Sequence, residues 1–169
     1  RAQATGHFGV AATQWEAAEE PQKASVAWAR AGKHHRAGLL ALEADEVERA
    51  IEHLREGGSL LLAGELLHRT GRPLSAAKLL HQGGYLSRAA KVLRGAGENV
   101  VLARLFLRHG HQDHAYRALQ TVDADSPLAE EAHGLIVDLL HADGRREESR
   151  ALLEGLVRRR IQEDRFGPE

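Results

Sequence analysis

The chain contains no cysteine and no methionine, and only 4% of its residues are aromatic. Without cysteine there is no disulfide, no thiolate nucleophile and no sulfur ligand for a metal. That usage fits a reducing compartment, so a cytoplasmic location is expected. Methionine is missing even at position 1, which points to a piece of a longer protein. With so few aromatic rings, alanine and leucine must supply most of the core, and an alanine-rich core requires helices that approach closely. No run nears the roughly 18 apolar residues of a membrane span, and no signal peptide is recognisable among these residues. No phosphate-cradling glycine loop, Ser/His/Asp arrangement or paired-carboxylate motif occurs. Neither an enzyme nor a cofactor is therefore expected. The Ala, Arg, Gly and Leu bias suggests a GC-rich bacterial source.

What the chain does contain is a repeat. Between positions 58 and 122 glycine recurs at every thirteenth position: Gly58, Gly71, Gly84, Gly97 and Gly110. Five positions after each stand Ala63, Ala76, Ala89, Leu102 and Ala115. Nine positions after stand Leu67, Leu80, Leu93, Phe106 and Leu119, preceded by Leu66, Leu79, Val92, Leu105 and Ala118. Offsets of five, eight and nine are i, i+3 and i+4, one face of an α-helix. The glycine sits where a left-handed residue ends the previous helix. Each unit is thus a helix of nine or ten residues, about 15 Å long at a rise of about 1.5 Å per residue. Helices below about 12 residues are marginal alone in water, so these must stack.

The frame projects backwards to starts at Asp45, Gly32, Glu19 and Gly6, with Ala50, Ala37, Ala24 and Ala11 five positions on. Pro21 and Pro73 each fall two positions after a start, in a first turn where a missing N–H costs nothing. Trp28 and Trp15 occupy the position that leucine fills later, and so are expected to point inward. Nine units span residues 6–122. Residues 1–5 carry no pattern and are expected to be a disordered start. After Val122 the frame fails. Residues 123–127 form a turn with an N-cap at Asp125 or Ser126, a helix runs from Leu128 to about His141, and Gly144 separates it from another over Arg145 to about Arg160. Residues 161–169 are expected to be a linker or tail.

The string Gly144 to Leu153 resembles the second-helix half of a tetratricopeptide repeat. The interval from Gly110 to Gly144 matches the period of that repeat, about 34 residues. Units such as Gly84 to Leu93 resemble the short-helix variety of coatomer- and clathrin-like α-solenoids and of bacterial multidomain proteins. The resemblance covers about residues 6–160. It implies an all-α, right-handed αα-solenoid of about eleven short antiparallel helices, used to bind other proteins. Its hairpins, two thirteen-position units each, are shorter than the usual repeat, so no groove geometry or ligand position carries over.

Residues 58–122 hold nine Lys and Arg against three acids, a net +6, while the whole chain is −1 and its remainder −7. Lys78, Lys91, Arg104 and Arg117 share one frame position in four successive units, with Arg88 nearby. A solvated face accounts for single charges; the scarcity of acid makes these five the candidate partner-binding residues. His68 and His81 fall at helix ends, where they cap carbonyls and complement the dipole. Arg158, Arg159 and Arg160 are assigned the same end-of-helix role.

His109, Gly110, His111, Gln112, Asp113 and His114 match the HxHxDH pattern of metallo-β-lactamase-type hydrolases, in which histidines and an aspartate hold zinc. There the motif follows a β-strand. Here it follows a segment in helical register, and Gly110 is a frame glycine. A turn is therefore expected, with no catalytic role and with His109, His111, Asp113 and His114 binding metal only adventitiously. The sequence favours an interaction scaffold in a larger signalling or regulatory protein, taking an acidic peptide or neighbouring domain, or associating with itself. Sequence-independent nucleic-acid binding through the basic centre is the alternative, and a zinc hydrolase the third reading.

Overall fold

A computed structural model describes residues 2–166; Arg1 and residues 167–169, parts of the expected start and tail, lie outside the described residues. Eleven α-helices and no strands occur among them. They fall into two compact units, Arg1–Ala96 and Gly97–Glu169.

The first unit comprises α1 (Ala2–Ala17), α2 (Pro21–Arg30), α3 (His34–Glu43), α4 (Val47–Glu56), α5 (Leu60–Arg69), α6 (Pro73–Gln82) and α7 (Leu86–Gly95). From α2 to α7 the helix starts follow one another at a single constant interval, as the frame requires. The cause is a repeated stop. Residues 19, 32, 45, 58, 71 and 84 all have positive φ, between 55° and 81°. The next residue's N–H then reaches back five positions to a carbonyl, as in Ser59 to Leu54 (2.8 Å), Arg72 to Leu67 (2.9 Å) and Tyr85 to Leu80 (2.9 Å). This is the Schellman arrangement. Glu19 and Asp45 adopt it without being glycine, at φ 55° and 59°. A Cβ there costs about 1–2 kcal/mol. Glu19→Gly and Asp45→Gly should each therefore stabilise the chain by about 1 kcal/mol, measured by denaturant unfolding; destabilisation would show that the side chains contribute more than the strain removes.

Ala24, Ala37, Ala50, Ala63, Ala76 and Ala89, one per helix, are all fully buried. The chain turns back after each helix, so neighbours are antiparallel: Gly57, after α4, lies against His35 at the start of α3. Contacts about two units apart join every second helix. His35 Nδ1 meets Ser59 Oγ at 2.5 Å, Arg72 pairs with Glu48 at 2.9 Å, and Arg88 pairs with Glu65. Helices α3, α5 and α7 thus form one row and α4 and α6 another, the two-layer stacking of an α-solenoid.

The tryptophans part company. Trp28 is buried, its Nε1–H donating to Glu16 Oε1 at 2.6 Å, while Arg36 covers its ring at 4.6 Å and binds the same carboxylate. Trp15 is 39% exposed, with Lys23 over its ring at 4.7 Å, and does not point inward as expected. It belongs to α1, which no helix precedes among the described residues, so the position that later helices enclose stays open here. α1 itself takes in residues 2–5, to which the sequence assigns no pattern.

The second unit comprises α8 (Asn99–Arg108), α9 (Gln112–Gln120), α10 (Ala129–Ala142) and α11 (Arg146–Phe166). Gly97, Gly110 and Gly144 take the left-handed conformation. α10 starts at Ala129, later than the expected cap implied. The Asp123 carboxylate and Ser126 hydroxyl instead accept N–H bonds from Asp125 and Leu128, so their oxygens close the turn itself. α11 runs past residue 160, so Arg158, Arg159 and Arg160 are not at its end. Arg159 pairs with Asp125 at 2.6 Å and Arg160 with Glu130 at 3.4 Å, tying α11 to the start of α10. No described helix is long and apolar enough to cross a membrane.

Candidate functional site

The frame position shared by Lys78, Lys91, Arg104 and Arg117 lies two positions after the buried alanine or leucine, which turns it outward; all four are exposed, as is Arg88. Lys78, Arg88 and Lys91 belong to the first unit, Arg104 and Arg117 to the second. Within the first unit Lys78 stands on α6 and Lys91 on α7, in different rows. Two of the five are already neutralised: Arg88 by Glu65, and Arg104 by Glu131 at 2.6 Å. Lys78, Lys91 and Arg117 have no carboxylate at ion-pair distance among the described residues.

The positive charge is nevertheless concentrated. Residues 58–96 carry six Lys and Arg against Glu65 alone, a net +5, leaving +1 for residues 97–122. Arg72 is spent on Glu48 and Arg88 on Glu65. Arg69, Lys78, Lys91 and Arg94 remain exposed without such partners among the described residues. Lys78 also borders a cleft of about 420 Å³ between α4 and α6, together with Arg55, Arg72, Glu48 and Glu52. The acids that offset the basic stretch come from helices about two units away, which a linear charge count cannot show.

The His109–His114 string joins α8 to α9. His109 caps α8, Gly110 has φ 71°, and His111 caps α9 while its N–H bonds the Phe106 carbonyl at 2.9 Å. Two of the imidazoles flank Phe106, with ring centres 5.2 Å away for His114 and 6.3 Å for His111, while His109 stacks on His111 at 6.4 Å. Their ligand atoms do not converge. Among the described residues, one group brings three metal-ligating atoms within 4.8 Å of one another, and it is His34, His53 and Glu56.

That cluster escapes the sequence reading. His34 opens α3, and His53 and Glu56 stand three positions apart near the end of α4, so the antiparallel hairpin places all three at one end. His34 Nδ1 lies 2.9 Å from Glu56 Oε2 and His53 Nδ1 lies 3.7 Å from the same oxygen. Both ring nitrogens are buried, with no hydrogen-bond partner among the described residues. In the second unit, the Arg145 guanidinium hydrogen-bonds Glu148 and holds its carboxyl below the usual range, while lying 5.4 Å over the Tyr116 ring.

No family model matches the chain, and no curated protein matches it. Among solved structures it is similar to the MamA protein, at 13% identity and TM-score 0.43 over 100% of this chain and 98% of that one. It is also similar to a Podosopora anserina putative kinesin light chain with nearly identical TPR-like repeats, at 15% identity and TM-score 0.40 over 99% of both chains. The repeat assignment rests on helices α2 to α8 themselves: equal length, equal spacing and a common left-handed stop.

Proposed function

We propose that the chain is a non-catalytic, cytoplasmic scaffold that binds an acidic peptide or domain through the exposed cations of α5, α6 and α7. The carrying observation is the +5 charge of residues 58–96, with Arg69, Lys78, Lys91 and Arg94 left without carboxylate partners among the described residues. Segregated charge of this kind favours steering and choice of partner over folding. Arg117 of the second unit is equally free; Arg88 and Arg104 would have to leave Glu65 and Glu131 to take part. Charges on such a surface interact over about 10 Å at 0.1 M salt and about 3 Å at 1 M, so binding weakens over that range.

The experiment is a pair of charge reversals. Lys78→Glu tests the row of α4 and α6, and Lys91→Glu with Arg94→Glu tests the row of α3, α5 and α7. One of the two should weaken capture of an acidic peptide by about tenfold or more and leave the far-UV circular dichroism unchanged. If neither alters binding or self-association, the basic stretch is a solvated surface. Binding of single-stranded DNA or RNA that falls steeply with salt would favour nucleic acid instead.

A further inference from the structure

We propose that His34 Nδ1, His53 Nδ1 and Glu56 Oε2 form a binding site for one divalent ion of the zinc class, joining the start of α3 to the end of α4. The site is independent of the acidic-partner reading, since it uses none of those cations.

Three features of the cluster support it. The first is spacing. Zinc holds nitrogen and oxygen ligands at about 2.0–2.2 Å, so ligand atoms around a tetrahedral ion stand roughly 3.3 Å apart. The separations of 2.9 Å and 3.7 Å from Glu56 Oε2 straddle that value, and the two Nδ1 atoms lie no more than 4.8 Å apart. The second is the state of the nitrogens. Both are shut off from solvent, and neither has an aligned hydrogen bond, although a carboxylate oxygen is within 2.9 Å of one of them. An ordinary His–Glu pair would align a ring N–H on that oxygen; a shared cation satisfies both lone pairs and the carboxylate at once. The third is the donor set. Two imidazoles and one carboxylate suit a borderline ion better than calcium or magnesium, and they leave a position for water.

The hairpin also holds the ligands in place. A Cβ at Gly57 would lie 2.6 Å from the His35 backbone nitrogen, so glycine is what lets the end of α4 come this close to the start of α3. His35 Nδ1 contacts Ser59 Oγ at 2.5 Å and fixes the same junction from the other side. Glu56 is half-exposed, which gives an ion a path in from solvent.

The test is zinc titration of the untagged, chelator-stripped chain against a competing chromophoric chelator. One equivalent should bind, and zinc should raise Tm by about 5 °C or more. His53→Gln and the near-isosteric Glu56→Gln should each weaken binding by about 100-fold and abolish the Tm shift. Both variants should keep the wild-type circular dichroism. A triple variant, His109→Gln with His111→Gln and His114→Gln, should bind zinc as the wild type does. Absence of stoichiometric binding, binding indifferent to both Glu56→Gln and His53→Gln, or loss of binding in the triple variant would each overturn the site.

Discussion

Trp28→Ala should destabilise the chain by about 3–5 kcal/mol, the range for removing a large buried ring. Trp28 sits where α1, α2 and α3 meet, 9% exposed. Its loss empties a cavity that the surrounding small residues Ala12, Ala27 and Ala37 cannot fill. It also removes the donor 2.6 Å from Glu16 and the ring beneath Arg36. Trp28→Phe keeps most of the apolar surface and loses the indole N–H, so its cost should be smaller, with about 1 kcal/mol from the hydrogen bond. Trp15→Ala should cost less than Trp28→Ala, because that ring is already 39% exposed. Urea unfolding followed by circular dichroism separates the three. If Trp15→Ala proved as costly as Trp28→Ala, the buried and exposed assignments would be reversed.

The tryptophan pair also shows what periodicity can and cannot reveal. A thirteen-position frame places Trp15 and Trp28 identically, since both stand nine positions after a start. Burial depends in addition on what lies on each side, and no described helix covers the outer side of α1. The frame's strongest successes are local. It marks Glu19 and Asp45 as starts although neither is glycine, and both take the left-handed conformation, because the stop is made by hydrogen bonds that the preceding helix supplies. Helix ends beyond the frame were harder to read. α10 begins late because side-chain oxygens close its preceding turn, and α11 runs on to Phe166 through a polar stretch that has no period.

Candidate sites divide along the same line. His109–His114 stands out in the sequence because it is contiguous, yet its ligand atoms do not meet. His34, His53 and Glu56 do meet, yet they occupy three different frame positions, so no string announces them. The usable signal was His53 and Glu56 at i, i+3 on one helix, together with a histidine opening the preceding antiparallel helix. The charge pattern was only half visible. Glu48, Glu65 and Glu131 reach the cations Arg72, Arg88 and Arg104 across 24, 23 and 27 positions.

The second large effect comes from glycines that no period reveals. Gly38 and Gly64 stand six positions after a start, where other units carry Ser25, Ile51, Ala77 or Tyr116. Each marks a tight helix crossing. A Cβ on Gly38 would lie 2.6 Å from Leu54 Cγ and 3.1 Å from the Leu54 backbone nitrogen; on Gly64 it would lie 2.7 Å from Leu80 Cγ. Leu54 and Leu80 are themselves buried, at 0% and 1% exposure, so they have nowhere to retreat. Gly38→Leu and Gly64→Leu should therefore force the paired helices apart and cost about 3 kcal/mol, at the upper end for overpacking. That loss should outweigh the gain of about 1 kcal/mol that any helix draws from replacing glycine. Gly155 supplies the control. It lies inside α11 with nothing within 4 Å of an added Cβ. Gly155→Ala should show the propensity gain alone and stabilise the chain by about 0.5–1 kcal/mol. Opposite signs for the two kinds of glycine, measured in the same urea titration, would establish helix contact as the reason for Gly38 and Gly64. Equal signs would mean that the α3–α4 and α5–α6 crossings are looser than these distances require.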